Sequence, residues 1–128
     1  MKILLDTHTW LWWMTESKTL SPTAFDMISD TDNQSVVSVV SVWEVAIKWR
    51  LEKLDLPEPP RTFIPSRLER DGFSVLHVTL SHVLQVADLP DHHKDPFDRL
   101  LIAQSLVEDV PLLSRDELVS QYDIKVLW

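Results

Sequence analysis

Met1-Lys2-Ile3-Leu4-Leu5-Asp6-Thr7 reads as a short apolar strand that ends on a carboxylate and turns at once into a helix. Trp10, Leu11, Trp13 and Met14 recur at helical spacing, so the helix is expected over Thr7–Thr15 with Thr7 as its N-cap. The same alternation runs outward along the chain. Ser21-Pro22 starts a helix reaching about Thr31, and the β-branched run Ser35–Val40 predicts a second strand. A helix over Ser41–Leu51 follows, then a proline-rich loop or flap at Leu56–Pro65. Ser66–Asp71 is expected to be helical and closed by Gly72, ahead of a strand at Phe73–Val78. Helices at Thr79–Leu89 and Pro96–Glu108, the second capped by Asp95, enclose a polar loop at Pro90–Lys94. Strands at Val110–Leu113 and Lys125–Leu127 flank a short helix near Glu117–Gln121. Alternating helices and strands predict an α/β domain with a central, mainly parallel sheet.

Carboxylates recur at the joints of this pattern. Asp6 ends the first strand and Glu44 lies in the helix opened by Ser41-Val42-Trp43-Glu44. Asp95 and Asp98 open the helix at Pro96, and Asp116 follows the strand closed by Ser114. In an open parallel sheet such joints face the crevice at the carboxyl ends of the strands. With no basic residue fixed beside each one, acids converging there repel one another unless a hard cation sits among them. Each acid also has an ordinary explanation. Glu44 can complete a capping box with Ser41, Asp95 is a good N-cap, Asp98 suits the positive end of its helix, and Asp116 can cap the helix after it. Asp6 is harder to explain away, because a carboxylate ending a buried strand needs a partner. Four separate structural roles would not require all the acids at one sheet edge, whereas a metal site would.

Composition narrows the field. The 128 residues suggest one domain, 1–128, and 45% hydrophobic with 25% charged residues is the balance of a globular protein. No cysteine is present, which removes disulfides, thiol catalysis and zinc ribbons and fits a cytoplasmic setting. A single glycine cannot build a phosphate-cradling loop or a dinucleotide fingerprint. No signal peptide or membrane span is expected, since the longest apolar stretch, Val36–Trp49, carries Glu44 and Lys48. The net charge of −8 disfavours a simple nucleic-acid binder but not a metal nuclease, and suits a partner with a basic segment. The five histidines lack zinc-helix spacing; a role for His93 at the cleft edge is the less favoured reading of a residue in a polar loop, and His8 is expected to pack or hydrogen-bond. Trp43 and Trp49 are expected at the core or its edge. Trp10, Trp12 and Trp13 cannot share one helix face, so at least one should reach the surface.

Leu5-Asp6-Thr7-His8, Ser41 with Glu44, the run His93-Lys94-Asp95-Pro96-Phe97-Asp98-Arg99-Leu100-Leu101-Ile102-Ala103-Gln104, and Leu113-Ser114-Arg115-Asp116 together resemble the PIN-domain ribonucleases. More narrowly, they resemble VapC-type toxins of bacterial type II toxin–antitoxin systems. The likeness spans nearly the whole chain, and Asp95-Pro96-Phe97-Asp98-Arg99 is its most specific part. It implies a three-layer α/β/α PIN-like domain acting as a metal-dependent endoribonuclease. Asp6, Glu44, Asp98 and Asp116 would be the catalytic and metal-binding residues, Asp116 the most variable and Asp95 the competitor to Asp98. It further implies Mg²⁺, with Mn²⁺ as substitute, as cofactor. Thr7 and Ser114 would be hydroxyls beside the metal, with Arg99 and Arg115 within reach of a substrate phosphate. Implied partners are an RNA substrate, a small cognate antitoxin with a DNA-binding domain, and a second copy of the chain in a homodimer. The alternative within the fold is a catalytically silent module that binds RNA or protein. A phosphoacceptor receiver domain fits poorly, because its aspartate should follow the third strand, and the strand at Phe73–Val78 ends in Thr79.

Overall fold

The computed structural model describes residues 1–128. Its elements are β1 (Lys2–Leu5), α1 (Thr7–Met14), α2 (Pro22–Ser29), β2 (Gln34–Ser38), α3 (Val39–Arg50), α4 (Pro60–Asp71), β3 (Ser74–Leu76), α5 (Leu80–Ala87), α6 (Pro96–Glu108), β4 (Leu112–Leu113), a 3₁₀ turn (Val119–Gln121) and β5 (Val126–Leu127). The five strands pair in the order β3-β2-β1-β4-β5, all parallel. The chain winds from β1 outward to β3, then returns to the other side of β1. The order therefore switches direction between β1 and β4, which is where a doubly wound sheet opens its ligand crevice.

Successive strand residues feed opposite faces, as the pleat demands. Ile3, Leu5, Val37 and Leu113 pack with Trp10, Leu11, Ala24, Ile28, Phe63 and Ile64 from α1, α2 and α4. Leu4, Val36 and Leu112 pack with Leu101, Ile102 and Ala103 of α6 and with Leu89, Val119 and Tyr122 on the other side. Helices thus cover both faces, giving the three-layer α/β/α arrangement. This is why β1 and β4 are almost continuously apolar rather than alternating, and why Ser35 and Ser38 of β2 are buried beside Val36 and Val37.

Several boundaries differ from the sequence expectation. Thr7 is the first helical residue of α1, and the extended Asp6 holds the N-cap position without a side-chain cap bond. Strand β2 stops at Ser38, whose hydroxyl accepts from the Val40 N–H, so α3 begins at Val39, two residues before the expected start at Ser41. Ser41 and Glu44 therefore form no capping box. The proline-rich segment becomes helix from Pro60 onward: Pro60 takes the first-turn position that needs no N–H, Phe63 and Ile64 bury against the core, and Pro65 sits on the solvent side. The earlier start of α3 also moves its buried stripe to Val40, Ser41, Glu44 and Val45. Trp43 is left 57% exposed, edge-on to Phe97, rather than in the core. Gly72 closes α4 as expected, in the left-handed conformation at φ 68°.

Arg99 makes most of the side-chain bonds that hold the loop between α5 and α6. The Arg99 guanidinium donates to the carbonyls of Val86, Leu89, Pro90 and His93 and to the Tyr122 hydroxyl, over 2.9–3.3 Å. Its fork is consumed by the protein's own backbone, which corrects the expectation that it reaches a phosphate. A lysine has too few donors, in the wrong geometry, to replace it. Arg99→Lys should lower the unfolding free energy by about 2 kcal/mol, read from urea denaturation at unchanged slope. A variant within roughly 0.5 kcal/mol of the parent would show that the loop holds itself without the arginine.

Candidate active site

Asp6, Asp98 and Asp116 line one crevice of about 600 Å³ with His8, Trp12, Arg115 and Glu117. Each reaches it by a different route. Asp6 follows β1, Asp116 follows β4, and Asp98 stands in the first turn of α6 with Asp95 capping the same turn. Asp95 uses its Oδ1 on the Phe97 and Asp98 amides, so it is the helix cap and Asp98 is the acid presented to the crevice. Glu44 is buried on α3 and does not line the open crevice, but its charge acts on both Asp6 and Asp98.

The acids have close partners, contrary to the expectation that no basic residue is fixed beside them. Ser114 Oγ donates to Asp6 Oδ2 at 2.6 Å. Lys48 Nζ lies 2.9 Å from Glu44 Oε2 across one helical turn. His93 Nε2 lies 3.1 Å from Asp98 Oδ2 and 2.9 Å from Asp116 Oδ2. In each of Asp6, Glu44 and Asp98 one oxygen is engaged and the other is not. Asp6 Oδ1 and Glu44 Oε1 are buried without any hydrogen-bond partner, and no hydrogen bond reaches Asp98 Oδ1. Buried carboxylate oxygens left bare are costly. A divalent cation with oxygen preference is the group that would satisfy them. Asp116 is better served, since its Oδ1 accepts from the Leu118 amide and its Oδ2 faces His93.

Charge crowding shows in the protonation of the site. Burial raises the Asp6 carboxyl above its ordinary range, only partly opposed by the Ser114 hydrogen bond. Asp98 is pushed up to about 7, first by burial and then by the charges of Asp6 and Asp95. The hydroxyls predicted to stand by divide the work. Ser114 bonds Asp6 and also accepts from the Asp116 amide, while Thr7 Oγ1 donates to Ser41 Oγ at 2.8 Å and ties α1 to α3.

Two members of the site were undervalued in the sequence. Lys48 was legible, because Glu44 and Lys48 stand one helical turn apart. His93 had only a weak signal, its place two residues before the cap of α6. Arg115 is exposed, makes no ion pair and lies 4.8 Å over the Trp12 ring, so it is the unengaged cation at the crevice. Of the three neighbouring tryptophans, Trp10 is fully buried and Trp12 and Trp13 are half-buried, as helical geometry required.

A family profile described as PIN domain matches residues 3–125. Over 115 residues the chain is 28% identical to ribonuclease VapC22 of Mycobacterium tuberculosis, covering 89% of this chain and 86% of that protein. Identity to ribonuclease VapC16 of the same organism is 41% over 56 residues, a span of 44% of this chain and only 40% of that relative. Among solved structures, DNA-bound VapBC from Salmonella typhimurium superposes with a TM-score of 0.73 at 14% identity, covering 99% of this chain and 97% of the other. VapBC2 from Rickettsia felis, bound to a promoter DNA fragment, gives 0.72 at 11% identity, covering 99% and 98%. At such identities the structural likeness speaks for the fold alone.

The raised carboxyl of Asp98 makes a pH prediction for the metal-free protein. Its folded value, about 7, exceeds the ordinary 3.8, so between these pH values the folded state holds the proton more readily than the unfolded chain. The stability this contributes is complete below about pH 4 and is lost as pH rises through about 7. In chelator, the melting temperature should fall across that window, and fall less steeply in Asp98→Asn. Parallel curves for the two proteins would contradict this.

Proposed function

This chain belongs to the PIN domain family, and from that premise we propose that it is a Mg²⁺- or Mn²⁺-dependent endoribonuclease toxin of the VapC type. The observation that carries the reading is the half-satisfied set of acids: Asp6 Oδ1 and Glu44 Oε1 buried and bare beside Asp98. The names of the two curated relatives, both ribonucleases, support the reaction class. Asp6, Glu44 and Asp98 would hold the cation, with Asp116 as the fourth acid. All-oxygen donors favour magnesium or manganese. When bound, such a cation supplies Lewis acidity to a water and to the phosphodiester.

The chain's own residues do the rest. Ser114, Lys48 and His93 each fix one oxygen of an acid, so that the other is held in place before the substrate arrives. Arg115 contacts a backbone phosphate at the crevice, where the acids alone would repel it. The negative charge of Asp98 is required, and its volume is not. Asp98→Asn should abolish RNA cleavage while leaving the metal-free fold intact or more stable. In the parent, millimolar Mn²⁺ or Mg²⁺ should raise the melting temperature, because a ligand bound only by the native state stabilises it; the rise should shrink in Asp6→Asn. A purified parent that binds no cation and leaves total RNA uncut would instead support the silent binding module.

The same reading extends to partners. A groove of about 290 Å³ lined by Trp13, Leu20, Phe25 and Arg67 shares Trp12 with the acidic crevice. An antitoxin segment with apolar anchors would seat there, and its basic residue would reach the acids. The neighbouring VapBC complexes support such a partner. Leu80, Val83 and Leu84 leave an apolar face of α5 exposed, which a second copy in a cytoplasmic homodimer would cover. Light scattering of the co-purified complex should give two copies of this chain. Antitoxin should protect RNA, and rising Mn²⁺ should partly reverse the protection. An antitoxin variant without its basic tail residue that inhibits equally at every Mn²⁺ concentration would overturn the charge-based mechanism.

A further inference from the structure

His93 Nε2 and oxygens of Asp98 and Asp116 lie within 4.8 Å of one another, the spacing of three ligands to one metal ion. A nitrogen in the set would draw the site toward zinc, nickel or copper. The surrounding hydrogen bonds decide otherwise. The Asp95 backbone N–H points at His93 Nδ1 from 3.1 Å. An amide N–H can only donate, so Nδ1 must be the acceptor, and the proton of the neutral ring resides on Nε2. There it faces two carboxylate oxygens, at 2.9 and 3.1 Å, and Nε2 has no lone pair to offer a metal. Turning the ring over would set Cδ2 against the Asp95 N–H and Cε1 against the carboxylates, losing both contacts, and the backbone that carries the ring is anchored from both sides. Its amide donates to the Tyr122 hydroxyl at 2.8 Å and its carbonyl accepts from Arg99 at 3.2 Å. Tyr122 is in turn fixed to the Pro90 carbonyl, and His93 is only 9% exposed.

Resting on the metal-dependent reading above, we propose that His93 is a positioning residue. Its Nε2–H donates to Asp116 Oδ2 and lies against Asp98 Oδ2, which leaves Asp98 Oδ1 for the cation, and His93 itself stays out of the coordination sphere. The ligand set is then all oxygen, from Asp6, Glu44 and Asp98. Asp116 acts mainly as the acceptor that keeps the imidazole in place, since both of its oxygens are already engaged. Residues that orient ligands in this way change metal affinity without touching the metal.

The test uses the full-length chain and Mn²⁺ alone. Mn²⁺ affinity is read by electron paramagnetic resonance, and nitrogen coordination by electron spin-echo modulation. In the parent, no coupling from a directly ligated imidazole nitrogen is expected. His93→Ala should weaken Mn²⁺ binding about tenfold, the lower end of what loss of an orienting partner costs. His93→Gln, which can place an N–H donor near the position of Nε2, should recover most of that loss. An imidazole coupling in the parent that vanishes in His93→Gln would make His93 a ligand and overturn this proposal alone. So would Mn²⁺ affinity in His93→Ala equal to the parent's, or in His93→Gln as weak as in a folded His93→Ala. A parent that binds no Mn²⁺ overturns the metal reading itself and this one with it. If His93→Ala does not fold, the parent's spectrum and the His93→Gln affinity still decide.

Discussion

Mutual repulsion among carboxylates gathered at one sheet edge is the constraint around which this molecule is organised. Parallel winding places the ends of β1 and β4 side by side, and the first turn of α6 faces the same crevice. Asp6, Asp98 and Asp116 meet there without choice. Left alone, such a cluster would protonate or open. Burial does raise Asp6, and burial with the nearby charges lifts Asp98 to about 7.

The protein answers with donors that neutralise each acid only in part. Ser114, Lys48 and His93 come from the end of β4, from α3 and from the loop before α6. Each engages one oxygen of an acid and leaves another bare. Full neutralisation would give a quieter structure with nothing to bind. The partial arrangement keeps negative potential in the crevice and fixes its direction, which is the pre-organisation that the proposed oxygen-ligated cation would need.

Support for these donors spreads into parts of the chain that never meet the crevice. Arg99 stands one residue from Asp98 yet points away, into the carbonyls of the preceding loop. By fixing that loop it fixes His93. Thr7 joins Ser41 beneath the site, and Ser38 joins β2 to Gln104 of α6. These buried polar links fall between the two apolar cores, where α3 and α6 pass from one strand edge to the next.

The α/β alternation, the parallel sheet and the identity of Asp6, Asp98 and Asp116 as crevice acids were legible in the sequence. Strand-then-carboxylate and cap-then-acid are local patterns, and their chemistry is carried by adjacent residues. Where the sequence misled, competing local signals were settled by burial. Ser41 looked like a cap for Glu44, but Ser38 caps α3 and the register follows from packing Val40 and Val45. The prolines before Ser66 suggested a flap, but Phe63 and Ile64 draw that segment into helix against the core. Arg99 and Arg115 were indistinguishable as two arginines beside two aspartates. Only the folded loop shows that the first is consumed by carbonyls and the second is unpaired over Trp12. His93 carried almost no signal, because its place between Asp98 and Asp116 joins residues from separate strands and loops. Sequence names the acids, since each stands at the end of its own element. Which oxygen of each is held depends on donors brought from elsewhere in the chain, and only tertiary structure supplies those.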